Sequence, residues 1–188
     1  GTLQIETQQV AIAMPPRLAA NLTFTPPLPE NAAQMLRETP TWMAGHAKFF
    51  AVYERPFWRD NGLCGTAISQ RGPLVEVHDA SPNSGDIFCL FGFVGIDSVG
   101  RKHLGRAELI KRATEQLGVL FGEEANRPKT THLQDWSAEE FTASSADQRP
   151  QTRHPDYGLS VPVGDVWNGK LDFISSETSY TNGGLVEG

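Results

Sequence analysis

The chain has 188 residues, with 16 Lys and Arg against 22 Asp and Glu, a formal charge of −6. At 39% hydrophobic and 20% charged, it carries enough apolar material for a sizeable core, which excludes a disordered chain. The acidic balance argues against binding a phosphate backbone, which needs clustered Lys and Arg.

Thr2 to Met14 alternates and then runs apolar, which predicts strand, turn, strand, ended by Pro15-Pro16. Arg17 to Leu22 reads as a short helical turn. Pro26, Pro27 and Pro29 make a stiff connector. Asn31 reads as the N-cap of a helix over Ala32 to Arg37, which Pro40 stops. Ala47 to Glu54 is aromatic and β-branched and predicts a strand. Asn61-Gly62 is a turn signal. Gly65 to Ser69, Leu74 to His78 and Asp86 to Val94 read as three further strands with short loops, which favour antiparallel pairing. Arg106 to Phe121 predicts an amphipathic helix, with Leu109, Ile110, Ala113, Leu117 and Leu120 on one face and Gly122 just past its end. Thr130 to Trp136 reads as a strand. Ser137 and Glu140 have capping-box spacing. Thr142 to Pro162 reads as loop, and Lys170 to Ile174 as a last strand. The sum is an α+β fold: a mixed, largely antiparallel sheet with one long helix packed on it.

The longest apolar stretch, Ile87 to Ile96, is broken by Gly92 and Gly95 and falls far below the ~20 residues a bilayer crossing needs. No signal peptide is visible, and a cytoplasmic location is the expectation. Cys64 and Cys89 do not make a disulfide framework, and both read as buried thiols. His46, His78, His103, His132 and His154 are scattered, so no metal site is expected. The ends, Gly1 inside an alternating run and Gly188 just after a Gly-rich turn, read as those of a fragment of a longer chain.

Lys48 stands out because it adjoins Phe49-Phe50 on a half-buried strand. Two readings stay open: a functional lysine, since buried Lys shifts its pKa readily, or a lysine on the solvent face of an alternating strand. Ser175-Ser176-Glu177-Thr178 followed by Asn182-Gly183-Gly184 has the layout of a strand leading into a helix N-terminus, an arrangement that binds phosphates or carbonyl oxygens and also caps many helices with no ligand.

Several segments in order resemble the flavin-containing amine oxidases, the monoamine and polyamine oxidase superfamily. Val10 to Pro16 resembles that family's V-I-V-A-x-P-P strand, and Thr25 to Pro29 its F-x-P-P-L-P. Lys48, five residues after Met43 and five before Tyr53, matches the family's lysine-bearing strand. Pro56-Phe57-Trp58-Arg59 is its P-F-W-R; Asp135-Trp136-Ser137 resembles its D-W-S, Glu177-Thr178 its G-T-E-T, and Glu187-Gly188 the end of its G-Y-M-E-G.

The resemblance implies FAD as cofactor, held mainly by an N-terminal dinucleotide-binding unit whose Gly-rich fingerprint does not occur here. It implies that residues 1–29 belong to the FAD domain, 30–145 form a portion of the substrate-binding domain, and 146–188 return to the FAD domain. An amine is then oxidised by hydride transfer to the flavin, with a small-molecule substrate and neither nucleic acid nor membrane as partner. Lys48 matches the lysine that holds a water against flavin N5. Glu177 matches the acidic residue near the ribityl–pyrophosphate, Trp136 a tryptophan packed beside the flavin, and Leu185 and Val186 the backbone that meets the flavin ring. Ala146 and Leu185 fall where the family places the two aromatic residues of its cage, and neither is aromatic here. That departure makes a small arylalkylamine a poor substrate. Ser145 stands where some members have the flavin-bonding Cys, so the flavin is expected to be noncovalent. The alternative is a flavin-free binding or structural module that kept the fold and lost the chemistry.

Overall fold

The computed structural model describes residues 2–148, 151, 153–158 and 160–185. The chain divides into two compact units. One comprises Gly45–Ser137 and Gln148–Pro150, the other Gly1–Ala44, Ala138–Asp147 and Gln151–Gly188.

The first unit is built on a five-stranded antiparallel sheet. Its strands are β2 (Ala47–Tyr53), β3 (Ala67–Ile68), β4 (Leu74–Asp79), β5 (Phe88–Val94) and β6 (Thr130–Asp135), in the order β3-β4-β5-β2-β6. β2 lies in the middle and pairs along its length with β5 (Ala47↔Val94 to Tyr53↔Phe88) and β6 (Ala47↔Asp135 to Val52↔Thr130). Its alternating sequence splits it cleanly: Ala47, Phe49, Ala51 and Tyr53 are buried, while Lys48, Phe50 and Val52 are half-buried. Two short helices, α3 (Phe57–Asp60) and α4 (Ser98–Leu104), and the long α5 (Arg106–Phe121) complete the unit. Leu109, Ala113, Leu117 and Phe121 of α5 cover the buried face of the sheet.

Two sequence features explain how helix and sheet lock together. Gln116, a polar residue on the buried side of α5, accepts a hydrogen bond from the Leu74 amide (2.7 Å) and donates to the Leu74 and Arg71 carbonyls (2.7 Å each). It thereby satisfies the backbone where β4 begins. Gly92, opposite Phe49 on β5, leaves room for Leu74, whose two methyls would stand 3.1 Å from an added Cβ. The Pro-Phe-Trp-Arg segment is an anchor of this core. Phe57 and Trp58 pack edge-on to each other and to Tyr53 (ring centroids 5.1–5.7 Å), and Trp58 Nε1 and Arg59 Nε both donate to Asp79.

The second unit holds β1 (Val10–Ile12), α1 (Pro16–Ala19), α2 (Glu30–Glu38) and β7 (Leu171–Phe173). β1 and β7 form a two-stranded parallel sheet, Val10↔Leu171 to Ile12↔Phe173. Its core gathers Ile12, Ala19, Leu36 and Leu171, with Phe24, Trp167 and Phe173 around them.

The α+β reading with an antiparallel sheet therefore holds, and the structure corrects it in several places. Residues 2–9 form no strand: Leu3 and Ile5 are 81% and 75% exposed, because their alternation has no partner to bury against. α2 begins at Glu30 after Pro29, whose fixed φ suits a helix entry, so Asn31 lies inside the helix. Ser137 caps no α-helix; it sits in a 3₁₀ turn, Trp136–Ala138. Cys89 is buried and Cys64 is exposed. Among the described residues no helix is long and apolar enough to cross a membrane, and no cluster of His, Cys, Asp and Glu is placed to hold a metal ion.

Candidate functional site

In the sheet unit, α5 covers one face, and the other face carries Lys48. Residues directly opposite each other in a ladder share a face. Lys48 stands between Phe93 of β5 and Gln134 of β6, and Glu76 of β4 lies beyond Phe93. The next row along the strands is His78, Phe91, Phe50 and His132. Its rings follow one another at centroid distances of 6.2, 5.1 and 6.2 Å. The Lys48 ammonium lies over two of these aromatic faces, 5.9 Å from the Phe91 centroid and 5.6 Å from that of Phe93. Ring quadrupoles attract a cation in this position and hold a flexible side chain in place. Glu76 and His78 pair at 2.7 Å on the same face.

Trp136 comes close to this lysine through the backbone. Its amide donates to the His46 carbonyl (3.0 Å), carrying the β2–β6 ladder one pair past Ala47↔Asp135. Ladder geometry makes Lys48 and Trp136 diagonal neighbours, about 7–8 Å apart at Cα. His46, opposite Trp136, has its pKa lowered from the ordinary imidazole value. Burial lowers its pKa most, and the charges of Arg101 and Lys48 add to that.

The Asp135-Trp136-Ser137 turn is pinned from beneath by Arg101 of α4. The guanidinium grips the Asp135 carboxylate with two hydrogen bonds, Nε at 2.8 Å and Nη2 at 2.6 Å. Burial alone would raise the pKa of Asp135, but the hydrogen bonds from Arg101 and Ser137 hold it below the usual carboxylate value. Sequence reading missed Arg101, and with it α4. The available signals were Asp97, whose Oδ1 caps the helix by accepting from the Gly100 amide (2.7 Å), and Gly105 at its end.

Ala146, Glu177 and Leu185 belong to the other unit. Glu177 is buried in a 3₁₀ turn, Ser176–Thr178, with Ser176 Oγ 3.4 Å from its Oε2. Tyr157 lies in the same unit. It donates to the Pro40 carbonyl (2.8 Å) and accepts from the Trp42 amide (2.9 Å). Burial first, then the carboxylates of Glu177 and Asp147, push its pKa up to about 12 against the opposing Trp42 amide and Arg17. Gly183 and Gly184 pack so tightly on Tyr157 that an added Cβ would stand 2.5 Å from its Cβ and from its ring Cε2, respectively. Ala146 is exposed, next to the buried Asp147, which accepts from the Ser144 amide (2.9 Å) and hydroxyl (2.6 Å) and pairs with Arg17. Leu185 is exposed, and Val186 and the Glu187-Gly188 pair lie outside the described residues.

An ammonium flanked by flat aromatic faces and a neighbouring tryptophan is a donor set that suits an electron-poor ring system with hydrogen-bond acceptors. The sequence matches the family described as flavin containing amine oxidoreductase over residues 2–187. The chain belongs to that family. It is 32% identical to an L-amino acid dehydrogenase of Synechocystis sp. over 84% of its own length and 34% of that protein's. It is 31% identical to a putrescine oxidase of Kocuria rosea, over 99% of this chain and 39% of the relative. Among solved structures, cyclohexylamine oxidase from Brevibacterium oxydans superposes with a TM-score of 0.74 at 25% identity, covering 100% of this chain and 41% of that one. The chain thus spans between about a third and two fifths of the length of these relatives.

Proposed function

We propose that this chain supplies one wall of the active site of a flavin-dependent amine oxidase or dehydrogenase, within a polypeptide that also provides a dinucleotide-binding unit. The observation that carries this reading is Lys48 on the half-buried, aromatic face of the sheet, two ladder positions from Trp136. FAD, held noncovalently and mainly by that other unit, would accept a hydride from the carbon next to the amine nitrogen.

The roles proposed for this chain's residues follow the family resemblance. Lys48 would hold a water by hydrogen bonding beside the flavin, and its positive charge would suit a neighbour that gains electrons. Phe91 and Phe93 keep its ammonium at the surface of the sheet. Trp136 provides a flat apolar surface for the cofactor ring. Phe50 and the flanking rings exclude water from the apolar part of an amine substrate. By the family resemblance, Glu177 would offer hydrogen bonding to the cofactor's ribityl–pyrophosphate. By the same resemblance, Ala146 and Leu185 are not aromatic where the family has its cage, so no aromatic cage would be expected.

The test uses the full-length protein. It should purify yellow, and anaerobic addition of an amine substrate should bleach the flavin. Lys48→Met should retain the flavin and slow the bleaching by roughly a hundredfold. A full-length protein without flavin would instead support a binding module, and unchanged bleaching by Lys48→Met would remove the lysine from the mechanism.

A further inference from the structure

Resting on that amine-oxidation reading, we infer that Arg101 is a positioning residue for the reaction, fixing the two strand ends that carry Lys48 and Trp136 in a single geometry. Its side chain is 3% exposed and touches three separate chain segments at once. Nε and Nη2 hold Asp135, and Nη2 also faces the Ser137 hydroxyl at 3.1 Å, so the residues on both sides of Trp136 are gripped. Nη2 donates to the Gly45 carbonyl at 3.0 Å, just before the strand of Lys48. Nη1 donates to the Ile96 carbonyl at 2.6 Å, just beyond the end of β5, the strand of Phe91 and Phe93.

A second set of bonds steadies the clamp. Ser137 Oγ donates to Asp135 (2.6 Å), Gln148 Nε2 to the Ser137 carbonyl (2.6 Å), and Ser98 Oγ to the Gln148 carbonyl (2.7 Å). A guanidinium, a rigid fork of N–H donors, reaches acceptors on all three segments at once, with Nη2 sharing its two hydrogens among Gly45, Asp135 and Ser137. A lysine would keep the charge beside Asp135 and release the Gly45, Ile96 and Ser137 oxygens. The middle of the sheet does not need such a device, because Phe49, Leu90 and Leu133 fasten it by packing. The strand ends do, since Lys48 and Trp136 lie at that margin, and reaction rates fall steeply with small displacements.

The experiment compares full-length holoprotein as wild type, Arg101→Lys, Asp135→Asn and Asp79→Asn, the last disturbing the separate Trp58 and Arg59 anchor. Two readouts are taken: the rate of anaerobic flavin bleaching by amine, and the ¹⁹F spectrum of protein labelled with 5-fluorotryptophan, the Trp136 resonance being assigned by its loss in Trp136→Phe. Arg101→Lys and Asp135→Asn should slow bleaching about tenfold or more with a smaller change in KM, and should shift or split the Trp136 signal while leaving that of Trp58 in place. Asp79→Asn should do the reverse, moving Trp58 and leaving the bleaching rate within about twofold. A Trp136 resonance and bleaching rate unchanged in both Arg101→Lys and Asp135→Asn would overturn the inference. If no amine bleaches the wild type, the amine-oxidation reading falls, and the fluorine spectra alone decide the clamp.

Discussion

The two faces of one strand make the sharpest contrast in this molecule. Toward α5, β2 presents Ala47, Phe49, Ala51 and Tyr53, none more than 5% exposed, with small and large residues interdigitated against Gly92 and Leu90. Away from it, the same strand presents Lys48, Phe50 and Val52, half-buried and partnered by rings instead of by a packed layer. Neighbouring residues thus answer to different demands. One face supplies the free energy that holds the sheet, and the other can carry a charge and incompletely covered aromatics because the first has secured the fold.

The contrast can be broken in order of effect. Phe49→Ala should cost about 3–5 kcal/mol of stability, the upper range for emptying a packed aromatic site, and denaturant unfolding would measure it. Equal losses from Phe49→Ala and Phe50→Ala would erase the distinction between the faces. Gly92→Ala should cost about 1–3 kcal/mol, because the new methyl meets Leu74 in a filled core, and compensation by Leu74→Val would locate the strain. Lys48→Met should change unfolding free energy by less than about 1 kcal/mol, since it removes only a partly exposed cation–π contact, despite its larger effect on flavin bleaching.

The smallest effect is a matter of pH. His46 has its pKa lowered from 6.5 in the folded chain, chiefly by burial. A depressed value means that its contribution to stability is complete above the unfolded pKa and is lost as pH falls through the folded one. His46→Gln should therefore flatten the decline in melting temperature on going from neutral to mildly acidic pH. An unchanged slope would mean that the ring does not bind its proton less readily when folded.

Sequence reading recovered what local periodicity encodes. The alternation in Ala47–Tyr53 and the amphipathic pattern of Arg106–Phe121 each matched an element closely, since each segment's own pattern determines what it buries. It failed where a partner far along the chain decides. Thr2 to Gln9 alternates like a strand yet finds nothing to pair with. Ser98–Leu104 has little apolar content, and one of its two buried residues is Arg101, which makes sense only beside Asp135. Ser137 had the spacing of a cap and spends its hydroxyl on Asp135 instead. For the candidate site, Lys48 and Trp136 were legible through the family resemblance. The row of rings at His78, Phe91, Phe50 and His132 was not, because it exists only once four strands are in register.

The parallel pairing of β1 with β7 sets an order of events on the ribosome. These strands and the contact between the Gln9 side chain and the Gly169 carbonyl join positions 160 residues apart, a closure costing on the order of 4–5 kcal/mol in chain entropy. The early segment must therefore emerge and wait while the sheet unit, nearly all of it contiguous in sequence, can assemble as soon as it is synthesised. Until Leu171–Phe173 has been translated, the edge of Val10–Ile12 stays open, and a nascent chain stalled before that point would present it to chaperones or to other strands.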